Sequence, residues 1–212
     1  MDKERNKFIL SIIVPVSFIL LLWLIKLAEI FTGINLSQAG LFPHRFSGLV
    51  GIITAPLLHA SINHLLSNSI PVLILSGGII YFYTEASFKV FAMVYLIPGI
   101  FVWIFGRPAF HIGASGLIYG FVSFLFFSGL IRRDNRSIAL ALIVTFLYGG
   151  IIWGVLPLDK EISWEYHLFG ALTGIYSAIL FRKLDPPLRY DWEDEMDEED
   201  KEYYDDIEQP FR

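Results

Sequence analysis

Three polar side chains, Asn68, Ser115 and His167, stand inside stretches of sequence that are otherwise strongly apolar. A serine hydroxyl becomes a useful nucleophile only when a base removes its proton, and a neutral histidine can act as that base and then protonate a leaving amine. The tetrahedral intermediate of such a reaction carries an oxyanion that preorganised donors stabilise. The set, with His64 one helical turn before Asn68, therefore predicts nucleophilic hydrolysis.

Acidic side chains are absent from spans two to six of the sequence at the depth of these residues. The pattern therefore predicts a Ser–His dyad rather than a three-member triad. The side chains of His64 and Asn68 are suitable oxyanion donors, and so is the Ser115 N–H, which has no helical partner in a first turn. Taken singly, each residue also has a structural explanation, because small and polar residues pack and hydrogen-bond between membrane helices.

The composition places these residues in a membrane protein. Of 212 residues, 55% are hydrophobic and 17% are charged, whereas about 25% charged is usual in soluble domains. A disordered chain is excluded, and an ordinary soluble domain is not expected. The chain has no Cys, which excludes disulfides, thiolate metal sites and a cysteine nucleophile.

Six apolar stretches are long enough for membrane helices, and we expect an all-α bundle of six spans. The predicted spans cover residues 8–28, 62–83, 88–105, 114–131, 138–156 and 166–181, with a loop over 29–56. The first apolar run exceeds the length of a signal-peptide core and no cleavage site follows it, so we expect it to be retained. The predicted core is therefore 1–184, followed by a tail over 185–212.

The distribution of Lys and Arg predicts that both termini are cytoplasmic. Nine basic residues would then lie inside and three outside; the inside set is Lys3, Arg5, Lys7, Lys89, Arg132, Arg133, Arg136, Arg182 and Lys183, and the outside set is Arg45, Arg107 and Lys160. The tail carries 13 acidic and 3 basic residues, and we expect it to be a solvated, disordered cytoplasmic segment. The basic residues are scattered, so nucleic-acid binding is not expected.

The three polar residues share one depth in this arrangement. At a rise of 1.5 Å per residue, Asn68 and Ser115 lie about 24 Å, and His167 about 21 Å, from the inner ends of their spans. With a hydrocarbon core about 30 Å thick, all three lie several Å below the outer surface. Three helices that run in the same direction thus present Asn, Ser and His in one layer, which favours chemistry over unrelated packing roles.

The motifs around these residues resemble those of the rhomboid family of intramembrane serine proteases. The matching positions are His59-x4-His64-x3-Asn68, Gly113-x-Ser115-Gly116-x-x-Tyr119 and His167-x-x-Gly170-x-x-x-Gly174. They occur in the family's order, on the expected helices of a six-span core, and the resemblance covers about residues 8–183. One departure is that the first outer loop has Arg45 but no Trp before it.

The resemblance implies a role for each matched residue. Ser115 would be the nucleophile and His167 the base, with an oxyanion hole formed by His64, Asn68 and the Ser115 amide. Tyr119 would stack on the His167 ring, and Gly113 would supply backbone freedom. The glycines at positions 116, 170 and 174 would let spans four and six approach closely. His59 would have a structural or loop-anchoring role.

The resemblance also implies the activity: an endopeptidase in a prokaryotic cytoplasmic membrane that cleaves transmembrane substrates beside helix-breaking residues, after a small residue, without cofactor or metal. Zinc binding by His59, His64 and His167 is disfavoured by their spacing. His44 and His111 match no family position, and we expect them to be loop residues without a role in the site. The alternatives are an inactive rhomboid-like chaperone or client-binding protein, and a transporter, which the absence of charged residues mid-membrane in spans two to six disfavours.

Overall fold

The computed structural model describes residues 2–159 and 162–186, and six long helices dominate this part of the chain. We label them in chain order. They are α1 (Asp2–Thr32), α2 (Ile62–Phe82), α3 (Thr84–Phe105), α4 (Ser115–Arg132), α5 (Asn135–Tyr148) and α6 (Trp164–Leu180). Between the described residues the only β-type pairing is an isolated bridge between Leu41 and His111. The all-α prediction is therefore confirmed for these residues.

Five helical stretches are long and apolar enough to cross a membrane: α1, α2, α3, α4, and α5 together with the 3₁₀ helix that continues it over Gly149–Val155. The last helix, α6, has 17 residues, which is at the lower end of what a span requires. The chain is a membrane protein, and its sixth crossing and the orientation of its termini stay predictions.

The connection between α1 and α2 is more structured than the predicted loop. Short helical segments cover Leu36–Ala39, Phe46–Val50, Gly51–Thr54 and Ala55–Leu57. A buried lysine on α1 holds the end of this connection, since Lys26 Nζ pairs with Glu29 Oε2 at 2.7 Å and donates to the His59 carbonyl at 3.0 Å. The residues just before α2 are thereby fixed to α1.

Helix α4 lies at the centre of the bundle and packs against α2, α3, α5 and α6. Its approach to α6 depends on glycine. A Cβ at Gly170 would lie 2.2 Å from the Gly116 carbonyl oxygen, and a Cβ at Gly174 would lie 2.1 Å from that of Gly120. Because any side chain here would meet backbone, these glycines bring the two helices into direct backbone contact.

Asp185, the first residue of the predicted tail, lies beside the end of α4 and the start of α3, where its carbonyl accepts from Arg132. The carboxylate of Asp185 accepts hydrogen bonds from the N–H groups of Glu85 and Ala86 at 2.8 and 3.0 Å. It thereby caps the first turn of α3, where the helix dipole favours a negative charge. The remainder of the predicted disordered tail lies, apart from Pro186, outside the residues that the structure describes.

Candidate active site

The structure brings Ser115 and His167 together. Ser115 is the first residue of α4, and His167 lies in the first turn of α6. The distance between Ser115 Oγ and His167 Nε2 is 2.7 Å. The imidazole is buried, with 7% of its residue surface exposed, so its partners inside the protein determine its state.

The other ring nitrogen of His167 identifies the tautomer. His167 Nδ1 lies 2.8 Å from the carbonyl oxygen of Gly154, in the 3₁₀ helix that follows α5. A carbonyl can only accept, so Nδ1 carries the proton and Nε2 has a free lone pair. The Ser115 hydroxyl then donates to Nε2, which is the arrangement that a general base requires. A backbone carbonyl thus occupies the place that an Asp fills in a triad.

Tyr119 fixes the plane of the His167 ring. The two rings are stacked with centroids 4.1 Å apart and planes inclined by 9°. The Tyr119 hydroxyl donates to the Ile151 carbonyl at 2.6 Å. The 3₁₀ helix Gly149–Val155 therefore supplies one carbonyl to the imidazole and another to the ring that covers it.

The residues expected to form an oxyanion hole lie around Ser115 on the cavity side. His64 and Asn68 come from α2, and Asn68 Nδ2 donates to the His64 carbonyl at 2.9 Å, leaving one amide proton for another acceptor. The His64 ring rests against Gly113, where a Cβ would lie 2.7 Å from His64 Cε1. Gly113 has φ +117°, so both its conformation and its neighbour require glycine.

These side chains share a cavity of about 460 Å³. Its lining also includes residues from the segment before α2, from the segment before α4 and from the segment before α6: Ala60, Arg107, Ala109, Phe110, His111, Ile112, Asp159, Ile162 and Ser163. The segment before α2 and the segment over 157–165 thus both contribute to this wall, with Lys160 and Glu161 outside the described residues.

The remaining histidines fall into two groups. His59 is buried beside the site, with its ring 5.0 Å from that of His64 and its Nε2 3.4 Å from the Ala114 nitrogen, as a structural role requires. Burial, together with the charge of the neighbouring His64, lowers the pKa of His59 to about 4. His44 lies away from the cavity and contacts the Ile104 carbonyl.

Two neighbouring residues are placed in ways that the sequence did not indicate. His111 lies in the connection before α4, as expected, but it is buried and forms part of the cavity wall. An acidic side chain does lie at this level, because α6 begins at Trp164 and its first turn includes the buried Glu165. Its Oε1 accepts from the Arg107 N–H at 3.3 Å, while His167 Nδ1 is bonded to Gly154, so the acid is not the third member of a triad.

A Trp–Arg contact between α3 and the connection that precedes α2 is formed by residues distant in sequence. Trp103 of α3 donates through Nε1 to the Arg45 carbonyl at 2.9 Å, and the Arg45 guanidinium lies 4.1 Å above the Phe42 ring. Among the described residues no cluster of three His, Asp or Glu is placed to hold a metal ion.

Comparison with known proteins gives consistent matches. A family model described as Rhomboid domain matches residues 46–184. An uncharacterized protein of Mycobacterium bovis is 36% identical over 190 residues, covering 84% of this chain and 78% of the relative. One of Mycobacterium tuberculosis gives the same values, and one of Mycobacterium leprae is 35% identical over 186 residues, covering 84% and 74%.

Proposed function

Because the chain belongs to the rhomboid family of membrane proteins, we propose that it is an intramembrane serine endopeptidase that cleaves other membrane proteins within or beside their transmembrane segment. The observation that carries the proposal is the 2.7 Å contact between Ser115 Oγ and His167 Nε2 in a cavity that His64 and Asn68 also line. The proposed location is a prokaryotic cytoplasmic membrane with both termini in the cytoplasm.

The first step is attack by the serine. His167 Nε2 takes the Ser115 proton as Oγ bonds to the scissile carbonyl carbon, and the protonated ring then gives that proton to the leaving amine. The resulting imidazolium carries Nδ1–H toward the Gly154 carbonyl, 2.8 Å away. This dipole and the Tyr119 ring hold the imidazole in place while its charge develops.

The tetrahedral oxyanion needs donors on the opposite side of the attacked carbon. The Ser115 N–H is one candidate, since the first residues of a helix have no internal acceptor. The side chains of His64 and Asn68 are the others, and Gly113 keeps the His64 ring close. A water in the cavity would then hydrolyse the acyl-enzyme, with His167 again as the base.

The substrate must expose a peptide bond to this pocket. A carbonyl that is bonded within a helix is shielded, so a transmembrane substrate has to unwind locally before attack. We therefore expect cleavage beside helix-breaking residues, and the similarity to rhomboid proteases further implies a small residue before the cut. The lipid bilayer and single-span membrane proteins are the proposed partners.

A cleavage assay tests the proposal. The purified full chain in detergent micelles is incubated with a fluorescent single-span substrate of the type that rhomboid proteases cut, alongside Ser115→Ala. Ser123→Ala, on the same helix two turns away, is the matched control. We expect cleavage by the wild type and by Ser123→Ala and none by Ser115→Ala. Equal cleavage by Ser115→Ala would refute the nucleophile, and an inactive wild type without serine-probe labelling would support the chaperone alternative.

A further inference from the structure

A second His–Ser hydrogen bond lies beside the dyad, in the wall of the same cavity. His111 Nδ1 is bonded to Ser163 Oγ. His111 stands four residues before Ser115, and Ser163 stands four residues before His167. The bond therefore connects the two chain segments that lead into the nucleophile and the base.

The contacts of His111 define its state. Its Nε2 lies 3.2 Å from the Arg107 carbonyl, which can only accept, so Nε2 carries the proton and Nδ1 accepts from the Ser163 hydroxyl. The residue is 1% exposed, and this burial lowers the pKa of the imidazole, so the ring is neutral near pH 7. The hydrogen bond is thus made by a buried, oriented ring and not by a solvated side chain.

Backbone hydrogen bonds connect His111 to a third segment, the connection between α1 and α2. His111 N donates to the Leu41 carbonyl at 2.8 Å, and Leu41 N donates to the His111 carbonyl at 3.1 Å. Arg107 supports the connection to α6, since its guanidinium donates to the Ile162 carbonyl at 2.6 Å and lies 3.5 Å from Glu165 Oε1. His111 is therefore held on one side by the connection between α1 and α2 and on the other by the start of α6.

The dyad needs such an anchor because both of its members lie at helix starts. The first turn of a helix lacks internal acceptors for its N–H groups and opens more easily than the middle. Gly113, two residues before Ser115, has φ +117°, a backbone conformation that only glycine adopts readily, so the chain that leads into the nucleophile is not regular helix. Ser163 is at the N-cap position of α6, yet its hydroxyl makes no capping bond there; it bonds to His111 instead.

We propose that His111 and Ser163 are positioning residues that hold the starts of α4 and α6 together, so that Ser115 Oγ stays within bonding distance of His167 Nε2. The inference rests on the proposed protease activity. Neither residue touches the reacting atoms; each acts through the segment that it fixes. The packing of α4 on α6 sets the approach of the helices, and the His111–Ser163 bond sets the alignment of their first turns.

The test compares four variants of the full chain: Ser163→Ala, Ser163→Thr, His111→Ala and the double variant His111→Ala–Ser163→Ala. Misplacement of reacting groups by a fraction of an ångström lowers the chemical rate. We expect Ser163→Ala to lower kcat by about tenfold with KM changed less than about twofold. Ser163→Thr, which keeps a hydroxyl, restores most of kcat.

The matched control is Ser137→Ala. Ser137 is fully buried at the other end of the bundle, and its Oγ accepts from the Tyr83 hydroxyl at 3.0 Å. Its loss removes this bond and the one that Oγ donates to the Asp134 carboxylate at 2.7 Å, so thermal stability falls at least as much as in Ser163→Ala while kcat stays at the wild-type value. A shared fall in kcat for both serines would show a general stability effect and overturn the positioning role.

The remaining outcomes separate this inference from the proposed function. The double variant is expected to be no slower than His111→Ala alone, because the His111–Ser163 bond is already lost when His111 is replaced. Additive losses, or an active wild type whose Ser163→Ala variant keeps its kcat, overturn the inference and leave the protease proposal intact. An inactive wild type overturns both.

Discussion

Gly154 packs so closely against the stacked rings of Tyr119 and His167 that a single added methyl group should impair catalysis. A Cβ at Gly154 would lie 1.9 Å from the Tyr119 hydroxyl oxygen and 3.2 Å from His167 Nδ1. Ordinary carbon–oxygen contacts are about 3.3 Å or longer. The Gly154→Ala substitution therefore forces Tyr119 or the 3₁₀ helix to move by about 1.4 Å.

This displacement acts directly on the proposed base. Tyr119 is stacked 4.1 Å from His167, and the carbonyl that orients Nδ1 belongs to the substituted residue itself. A misplacement of about 1 Å costs roughly 100-fold in rate. We expect kcat of Gly154→Ala to fall by about that factor, with a smaller effect on KM.

The assay is initial-rate cleavage of the single-span substrate in detergent, with folding checked by thermal unfolding. Gly150→Ala is the matched control, because Gly150 lies in the same 3₁₀ helix and a Cβ there would meet no heavy atom within 4 Å. It should cleave at close to the wild-type rate. A Gly154→Ala protein as active as Gly150→Ala would refute the assignment of this carbonyl and of the ring stack.

A second variant isolates the clash. Tyr119→Phe removes the hydroxyl that a Gly154 methyl group would strike, and the nearest remaining contact is the ring carbon Cζ at 3.1 Å. Tyr119→Phe alone loses its bond to the Ile151 carbonyl and should be modestly slower. The double variant should be faster than Gly154→Ala alone; if it is slower still, the loss does not arise from this contact.

Three further outcomes follow from local geometry. Gly113→Ala should lower the free energy of unfolding by about 1–3 kcal/mol and slow cleavage, because φ is +117° and a Cβ would lie 2.7 Å from His64 Cε1; circular-dichroism melts and rates check this. Asp185→Ala should cost about 1–2 kcal/mol of stability, since a cap of α3 is lost, without changing kcat. His59 has its pKa lowered to about 4, so the unfolded chain takes up the proton first as pH falls; stability should drop between about pH 6.5 and 4 by up to about 1.4 kcal/mol per pH unit, and His59→Gln should flatten that slope in pH-dependent melts.

The helices and the family membership could be predicted from the sequence, because both depend on the types of side chain along the chain. Long apolar stretches predict spans, and the three motifs around His64, Ser115 and His167 predict rhomboid membership, which the family match confirms. The predicted start of the fourth span at 114 lies one residue from the observed start of α4 at Ser115. The close approach of α4 and α6 follows from the glycines at positions 116, 170 and 174.

The parts that sequence could not predict depend on backbone groups and on distant contacts. Every residue has a backbone carbonyl, so the sequence around Gly154 gives no indication that its carbonyl is the partner of His167. His111 and Ser163 are 52 residues apart, and neither belongs to a motif that indicates their contact. The predicted sixth span begins at residue 166, whereas α6 begins at Trp164. Because of this difference of two residues, the sequence prediction left Glu165 outside the helix.

Labelling with a fluorophosphonate probe, followed by mass spectrometry of the peptides, tests the central claim most directly. We expect one covalent adduct on Ser115 of the wild-type chain and an adduct that forms at least about 100-fold more slowly in His167→Gln, where the base is lost. An adduct on another serine, or equal labelling rates in the two proteins, would contradict it.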